Sequence, residues 1–181
     1  MAEWIEKKTV YEGSILTVKS GRVQMPDGAS VAFDIVEHHG GVAVVPLLGD
    51  AVLLVRQPRM VVEHDLLEIP AGKREAVDDD PEARARAELE EETGYRAGRM
   101  VPVADFFVSP GYTTERIVVY LAFDLEHVGA HPEATEEIEL VRLPLDEARR
   151  MLDAGQFRDG KTLIGLRELL AYLERERQDK S

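Results

Sequence analysis

The chain contains no cysteine. This absence excludes disulfide bonds, catalytic thiolates and zinc sites built from cysteine. Long apolar runs are also missing, and the first residues lack the apolar core of a signal peptide. We therefore expect a cytoplasmic protein that neither spans nor binds a membrane.

Basic residues are scarce, with 22 lysines and arginines against 35 aspartates and glutamates and a formal charge of −13. This balance argues against a surface that binds nucleic acid by neutralising its phosphates. A small substrate that carries phosphate is still compatible with it, because a few arginines and a bound metal ion make a local positive site.

The remaining composition is that of a globular protein, with 44% hydrophobic and 31% charged residues in 181. That length fits one domain with a small appendage. Short alternating segments between residues 9 and 38, with a hairpin signal at Asp27-Gly28, predict a small antiparallel sheet. The Gly40-Gly41 pair marks a boundary, so we predict an N-terminal β-sheet region at 1–39 and a main domain at 40–181.

The main domain interleaves predicted strands and helices. One helix is marked by Asp80 as its N-cap, Pro81 at its first position and Gly94 at its end. Apolar patterns predict strands within 42–57, 65–72, 101–109, 116–126 and 138–144, and helices at 145–155 and 161–177. Together they predict an α/β fold, an α/β/α sandwich around a mixed sheet.

The helix that begins at Pro81 carries Glu88, Glu91 and Glu92 near its end. At 3.6 residues per turn, Glu88 shares a face with both of the other glutamates. Carboxylates this close repel one another unless a positive charge lies between them. Mg²⁺ suits such a place because it prefers oxygen ligands. A solvated helix face is the alternative.

The surrounding residues resemble the Nudix box, G-x5-E-x7-R-E-U-x-E-E-x-G-U, in which U is apolar. The matching positions are Gly72, Glu88, Leu89, Glu91, Glu92, Gly94 and Tyr95. Two positions depart from the pattern, since Ala87 stands at the box arginine and Asp79 at the first glutamate. The gap from Gly72 to Asp79 is also one residue longer than in the pattern.

The missing box arginine raises the question of what braces the glutamates, which is its role in the family. Arg84 lies four residues before Glu88 and therefore on the same helix face. An α-helix turns by about 100° per residue, so Arg86, two residues before Glu88, points away from that face. We hypothesise that Arg84 substitutes for the box arginine.

Segments outside the box resemble those of ADP-ribose pyrophosphatases. VRQPR at 55–59 is similar to their RQ-x-R segment, LLEIPAG at 66–72 to E-[LI]-PAG, and SPGYTTE at 109–115 to their SPGFTDE loop. The acidic stretch at 131–141 resembles their catalytic loop. The resemblance spans roughly residues 30–145 and implies a Nudix-like α/β/α sandwich with metal-dependent hydrolysis of ADP-ribose to AMP and ribose 5-phosphate.

The resemblance also implies a metal site, in which a metal ion would neutralise phosphate charge and activate a water. We expect Glu88 and Glu92 as ligands, Glu91 as a ligand or a nearby catalytic bridge, and the backbone carbonyl of Ala71 as a further ligand. Mg²⁺ is the expected ion, with Mn²⁺ as a substitute. We expect a turn at Gly72 to point that carbonyl inward.

The general base is expected in the acidic loop, where Glu133, Glu136 and Glu137 compete. We choose Glu136, as the base or as an additional metal ligand, because a loop is able to close over bound substrate.

Substrate contacts are expected from two arginines and from the loop at 109–115. Arg56 is our first candidate for gripping the diphosphate through its forked guanidinium, and Arg59 is the second. Glu68 would accept hydrogen bonds from a ribose hydroxyl or pair with an arginine. Gly111 and Tyr112 would shape the substrate loop.

Other substrates and another class of function remain open. The same chemistry would serve a nucleotide sugar or a dinucleoside polyphosphate, and a catalytically silent Nudix domain would bind a nucleotide as a sensor. The resemblance further implies a homodimer, joined through an N-terminal sheet that has too little core of its own.

Overall fold

In the computed structural model, which describes residues 1–129 and 137–179, the strands form two separate sheets. A three-stranded antiparallel sheet has the order β1-β2-β3. A seven-stranded sheet has the order β10-β5-β4-β9-β8, with β6 paired to β5 and β7 paired to β4. The elements are β1 (Glu3–Glu12), β2 (Thr17–Gln24), β3 (Ser30–Glu37), β4 (Gly41–Leu48), β5 (Ala51–Arg59), β6 (His64–Glu68), β7 (Ala71–Lys73), α1 (Pro81–Thr93), β8 (Tyr95–Phe107), β9 (Arg116–His127), β10 (Glu139–Pro144), α2 (Leu145–Asp153) and α3 (Gly160–Gln178).

The larger sheet is mixed, as predicted. Strands β4 and β9 run parallel, while the other pairs in this sheet are antiparallel. The first half of β4 pairs with β7 and its last residues pair with β5. This arrangement brings the short strand β7, which leads towards α1, beside the centre of the sheet.

The helices cover both faces of the larger sheet. Because successive side chains of a strand point to opposite faces, Val42 and Val44 of β4 pack with Leu89 of α1. Ala43 and Val45 pack in a second cluster on the other face, which contains residues of α2 and α3. The predicted α/β/α sandwich is therefore confirmed.

Helix α1 begins and ends as its sequence predicts. The Asp80 side chain accepts a hydrogen bond from the Glu82 amide at 3.0 Å, and Pro81 occupies the first turn. Gly94 has the left-handed φ of 75°, and its amide donates to the Glu90 carbonyl at 3.0 Å. Local signals at each end therefore fix which turns of α1 carry the glutamates.

Two strands begin earlier than the sequence indicates. Strand β1 starts at Glu3 and is exposed along its whole length, in a charged segment without strand-like alternation. Strand β8 starts at Tyr95, directly after the helix-ending glycine, and has a register shift between Pro102 and Ala104. The division of the chain at residue 39 stays a prediction.

In the described part of the chain, residues 1–129 and 137–179, no helix is both long enough and apolar enough to cross a membrane.

Candidate active site

The last two turns of α1 carry the acidic residues of the site. Glu88 and Glu92 are each 5% exposed, whereas the Glu91 side chain is 39% exposed. Ionised carboxylates that are buried need positive or hydrogen-bonding partners. The two buried glutamates are therefore paired groups of the interior, and the solvated-face alternative does not describe them.

Gly72 makes room for one of these carboxylates. A Cβ atom built on Gly72 would lie 1.4 Å from Glu88 Oε1 and 2.0 Å from its carboxyl carbon. The residue belongs to strand β7 and is absent from the glycines with positive φ. Our prediction of a turn at Gly72 is therefore wrong, because the residue lies in a strand. Glycine is needed there because the Glu88 carboxylate approaches the backbone too closely for a side chain.

Ala71 presents its backbone to the same helix. It faces Ala43 in the register of β7 with β4, between the bonded pair of Val44 with Pro70 and that of Arg74 with Gly40. Alternation along an antiparallel ladder makes Ala71 a non-hydrogen-bonded position, so its amide and carbonyl point away from β4. The amide donates to Glu92 Oε2 at 3.1 Å. The carbonyl therefore also points to the side on which α1 lies.

Arg84 contacts the glutamates of α1 as we hypothesised. Its Nη2 donates to Glu88 Oε1 and lies 3.4 Å from Glu91 Oε2. Burial alone would lower the pKa of Arg84, but the charges of Glu88 and Glu91 outweigh that effect and raise it. Arg86 instead donates to Glu82 and to the Ala97 carbonyl. The contact is confirmed, while its functional role stays a prediction.

The residues present fit a hard divalent cation in their chemistry. The carboxylates of Glu88 and Glu92 and the carbonyl of Ala71 are oxygen donors of the kind that Mg²⁺ and Mn²⁺ prefer. Gly72 leaves space for the carboxylate of Glu88. Within residues 1–129 and 137–179, no three histidine, aspartate or glutamate side chains are grouped closely enough to hold a metal ion. Because Arg84 pairs with Glu88 and Glu91, a cation would compete with it for these two carboxylates.

A cleft of about 580 Å³ is lined by Ala71 and Gly72, the two β7 residues that lie against Glu92 and Glu88. Its wall includes backbone from β4 and β7, the aromatic end of β8, and the first turn of α3. Its basic side chains are Arg59, Lys73 and Lys161. A second hollow of about 680 Å³ touches the N-terminal sheet but contains none of the predicted site residues that the structure describes. The smaller cleft is therefore the candidate active site.

Arg59 and Lys161, which we call the basic wall of the cleft, are both held by one buried carboxylate. Glu68 is 1% exposed and accepts from Arg59 Nε at 2.7 Å and from Arg59 Nη2 at 2.8 Å. Lys161 also donates to it. Burial would raise the pKa of Glu68, but the hydrogen bonds and charges of Arg59 and Lys161 outweigh burial and lower it. We expected Glu68 either to bind a ribose hydroxyl or to pair with an arginine, and in the structure it pairs with Arg59.

Arg56 lies elsewhere. It is three residues from Arg59 in a strand without register shifts against β6, so the two side chains point to opposite faces of the sheet. Arg56 Nε lies 3.1 Å from Glu139 Oε2, across the pairing of β5 with β10. It does not line the cleft, and the geometry thus favours Arg59 over our first candidate.

The loop at 109–115 packs against the N-terminal sheet. The Tyr112 carbonyl accepts from the Val36 amide at 2.8 Å, and the Thr114 amide donates to the Val36 carbonyl at 3.0 Å. The Tyr112 side chain is 57% exposed and lines a separate hollow with Phe33 and Ile35. A Cβ on Gly111 would meet no atom within 4 Å. Both substrate assignments stay predictions.

The acidic loop is described only at its end. Glu133 and our chosen base Glu136 lie outside the described residues, and Glu137 is exposed. The assignment of the base stays a prediction.

Comparison with known proteins agrees with the fold and identifies the family. The chain matches the family model of the NUDIX domain over residues 37–164, and it belongs to the Nudix family. Members of this family generally use divalent metal ions.

Relatives extend the match beyond the domain. An ADP-ribose pyrophosphatase of Bacillus subtilis is 32% identical over 168 residues, which are 91% of this chain and 90% of the relative. A GDP-mannose pyrophosphatase of Salmonella paratyphi B is 38% identical over 133 residues, which are 68% of this chain and 66% of that protein. The solved structure of an ADP compounds hydrolase superposes with a TM-score of 0.85 at 20% identity, covering 97% of this chain and 95% of that one. At that identity the structural likeness concerns the fold.

Proposed function

We propose that this chain hydrolyses the diphosphate bond of ADP-ribose and releases AMP and ribose 5-phosphate. The observation that carries the proposal is the burial of Glu88 and Glu92 beside the Ala71 backbone, next to a cleft whose basic wall includes Arg59. The similarity to an ADP-ribose pyrophosphatase over 91% of the chain supports this substrate.

The glutamates would hold Mg²⁺, with Mn²⁺ as a substitute, together with the Ala71 carbonyl. Once bound, the ion would neutralise phosphate charge and lower the pKa of a water. Glu88 and Glu92 are the principal ligands, and Glu91 is the more exposed third ligand or bridge. Arg84 would hold Glu88 and Glu91 in place before the cation arrives.

Arg59 would bind the diphosphate, and Glu68 would orient the guanidinium of Arg59. The bidentate pair uses Nε and Nη2 of Arg59 and leaves the other guanidinium hydrogens for a phosphate. Arg56 takes second place because its side chain pairs with Glu139. Glu136 remains our candidate for the general base, and Gly111 and Tyr112 for the substrate loop.

A nucleotide sugar is the second candidate substrate. The observation in its favour is the 38% identity to a GDP-mannose pyrophosphatase over 68% of the chain. The reaction would be the same because the metal ligands act on the diphosphate, which all these compounds share. The difference lies in what the remainder of the cleft accepts.

The substrates are separated by one panel. Purified protein with Mg²⁺ would be given ADP-ribose, GDP-mannose and a dinucleoside polyphosphate, and kcat/KM measured for each. We expect ADP-ribose to be preferred at least about tenfold, a difference of roughly 1.4 kcal/mol in transition-state binding. Preference for GDP-mannose would overturn the choice of substrate. Tight binding without turnover of any compound would indicate a nucleotide sensor.

We also propose a homodimer joined through the N-terminal sheet. Its exposed apolar residues include Trp4, Ile5, Val10, Val31 and Phe33. The rings of Trp4 and Phe33 contact each other, with centroids 5.9 Å apart. Exposed apolar patches mark interaction surfaces, and a second copy of the sheet is the proposed cover. Light scattering during size exclusion would give the mass of a dimer, whereas a monomer mass would contradict it. Cytoplasmic location and the absence of nucleic-acid and membrane partners stay predictions.

A further inference from the structure

Lys161 belongs to no box or flanking segment, yet it reaches the centre of the basic wall. It lies in the first turn of α3, 93 residues after Glu68. Its Nζ donates to Glu68 Oε2 and, at 2.9 Å, to Asp159 Oδ1. The Lys161 side chain is only 13% exposed. A lysine held this closely between two carboxylates has a fixed position rather than a solvated one.

The first turn of α3 is itself fixed to the wall. Asp159 caps the helix by accepting from the Thr162 amide at 2.9 Å. Thr162 is fully buried, and its hydroxyl oxygen accepts from the Ile69 amide at 2.9 Å. Helix α3 is thus tied to consecutive residues, Glu68 through charge and Ile69 through a neutral hydrogen bond. The Thr162 hydroxyl also donates to Asp159 Oδ2 at 2.5 Å, so both ties pass through the cap of α3.

The four charges of this wall balance. Glu68 and Asp159 carry two negative charges, while Arg59 and Lys161 carry two positive ones. If Lys161 were neutral, Glu68 would draw on Arg59 alone, and the cluster would become negative beside a cleft that is to receive an anion. Arg59, Asp159 and Lys161 all line the cleft, and Arg59 has the most exposed side chain of the three, at 39% against 13% for Lys161.

We propose that Lys161 is a positioning residue for substrate binding, acting through Glu68 on Arg59. Its ammonium shares the Glu68 carboxylate, which leaves the guanidinium of Arg59 oriented and available to a diphosphate. Of the five N–H donors of an arginine, two bond to Glu68, so three remain for the substrate. The inference rests on the proposed function, because it needs a substrate with a diphosphate group.

The test is Lys161→Met with Lys161→Arg as the conservative variant, assayed for ADP-ribose turnover and thermal melting. Loss of ground-state binding raises KM and leaves kcat alone. For Lys161→Met we expect a rise in KM of about tenfold, as one charge-assisted contact is weakened, with kcat within about twofold. Lys161→Arg should recover most of the loss. Leu166→Ala is the structural control, because Leu166 is a buried core residue of α3 that lies outside the charged cluster. It should lower the melting temperature and leave KM unchanged.

A double-variant cycle tests whether Lys161 acts through Glu68. Because the carboxylate is the link, adding Lys161→Met to Glu68→Gln should change KM by less than about twofold. The inference is overturned if KM is unchanged in Lys161→Met, if the two changes multiply, or if Leu166→Ala raises KM as much. If Lys161→Met fails to fold, Lys161→Gln and the Glu68→Gln background give the same comparison. Failure of the proposed function would appear in the wild-type protein, which would not cleave ADP-ribose, and the variants would then be compared on whichever diphosphate the protein does cleave.

Discussion

Gly72→Ala is the substitution for which the structure makes the sharpest prediction. The new methyl group would lie 1.4 Å from Glu88 Oε1, whereas non-bonded heavy atoms prefer about 3.5–4.0 Å. The carboxylate must therefore retreat by about 2 Å, since the backbone of β7 is held by its pairing with β4. A retreat of that size exceeds the tolerance of metal coordination, where ligand distances lie near 2.0–2.1 Å for Mg²⁺.

The expected effect is large on activity and moderate on stability. Misplacing a catalytic group by about 1 Å costs on the order of 100-fold in rate, so we expect at least that loss in kcat/KM. Overpacking at a buried position costs about 1–3 kcal/mol. For a protein of this size each kcal/mol lowers the melting temperature by about 2–4 °C, so the variant should remain folded at assay temperature.

The assay is ADP-ribose turnover with Mg²⁺, alongside circular dichroism and thermal melting. Gly160→Ala is the matched control, because Gly160 also lines the cleft but its added Cβ would meet no atom within 4 Å. The control should lose neither activity nor stability. If Gly72→Ala kept full turnover, the close approach of Glu88 to the β7 backbone would be irrelevant to catalysis and the reasoning would be refuted.

Three further predictions concern the charged residues. Arg84→Ala should lower metal affinity and turnover about tenfold, whereas Arg86→Ala should affect only melting; the reverse result in a metal titration would exclude Arg84 as the substitute brace. Arg59→Lys should raise KM for ADP-ribose about tenfold because the forked contact is lost, and Arg56→Lys should not; equal effects in steady-state kinetics would contradict the ranking. The pKa of Glu68 lies below its ordinary value of 4.5, so its ion pairs stabilise the fold above that pH and are lost as pH falls through the lowered pKa. Melting temperatures between about pH 3 and 8 should therefore fall below about pH 4.5, with a smaller acid loss in Glu68→Gln.

Helix α1 was predictable because its signals are local. Asp80, Pro81 and Gly94 set its ends within the chain segment itself, and the fold places all three as the sequence indicates. The pairing of Arg84 with Glu88 is equally local, since residues four apart meet on any α-helix. Sequence reasoning therefore located both the acidic face and the arginine that contacts it.

Long-range contacts were beyond that reasoning. Nothing near Glu68 indicates Lys161, which reaches it only because α3 packs with its first turn at the cleft. The need for glycine at position 72 likewise depends on where Glu88, sixteen residues later on α1, meets the backbone of β7. A motif records that glycine is needed there, but the physical reason exists only in the folded chain.

The spacing of Arg56 and Arg59 in the sequence already separates the two arginines. Residues three apart on a strand point to opposite faces, so Arg56 and Arg59 were never able to serve the same site from a regular β5. Choosing between them required knowing which face of the sheet holds Glu68. The charged segment at β1, in contrast, carried no strand pattern, because a strand exposed along its whole length is under no pressure to alternate.

The most direct test of the central claim is chromatographic identification of the products of ADP-ribose, with Mg²⁺ or with EDTA, for the wild type and for Glu92→Gln. Glu92 is buried at the proposed metal centre and accepts a hydrogen bond from Ala71. The account predicts AMP and ribose 5-phosphate from the wild type with Mg²⁺, none with EDTA, and a loss of at least about 100-fold in a folded Glu92→Gln. Undiminished cleavage in EDTA or in that variant would contradict it.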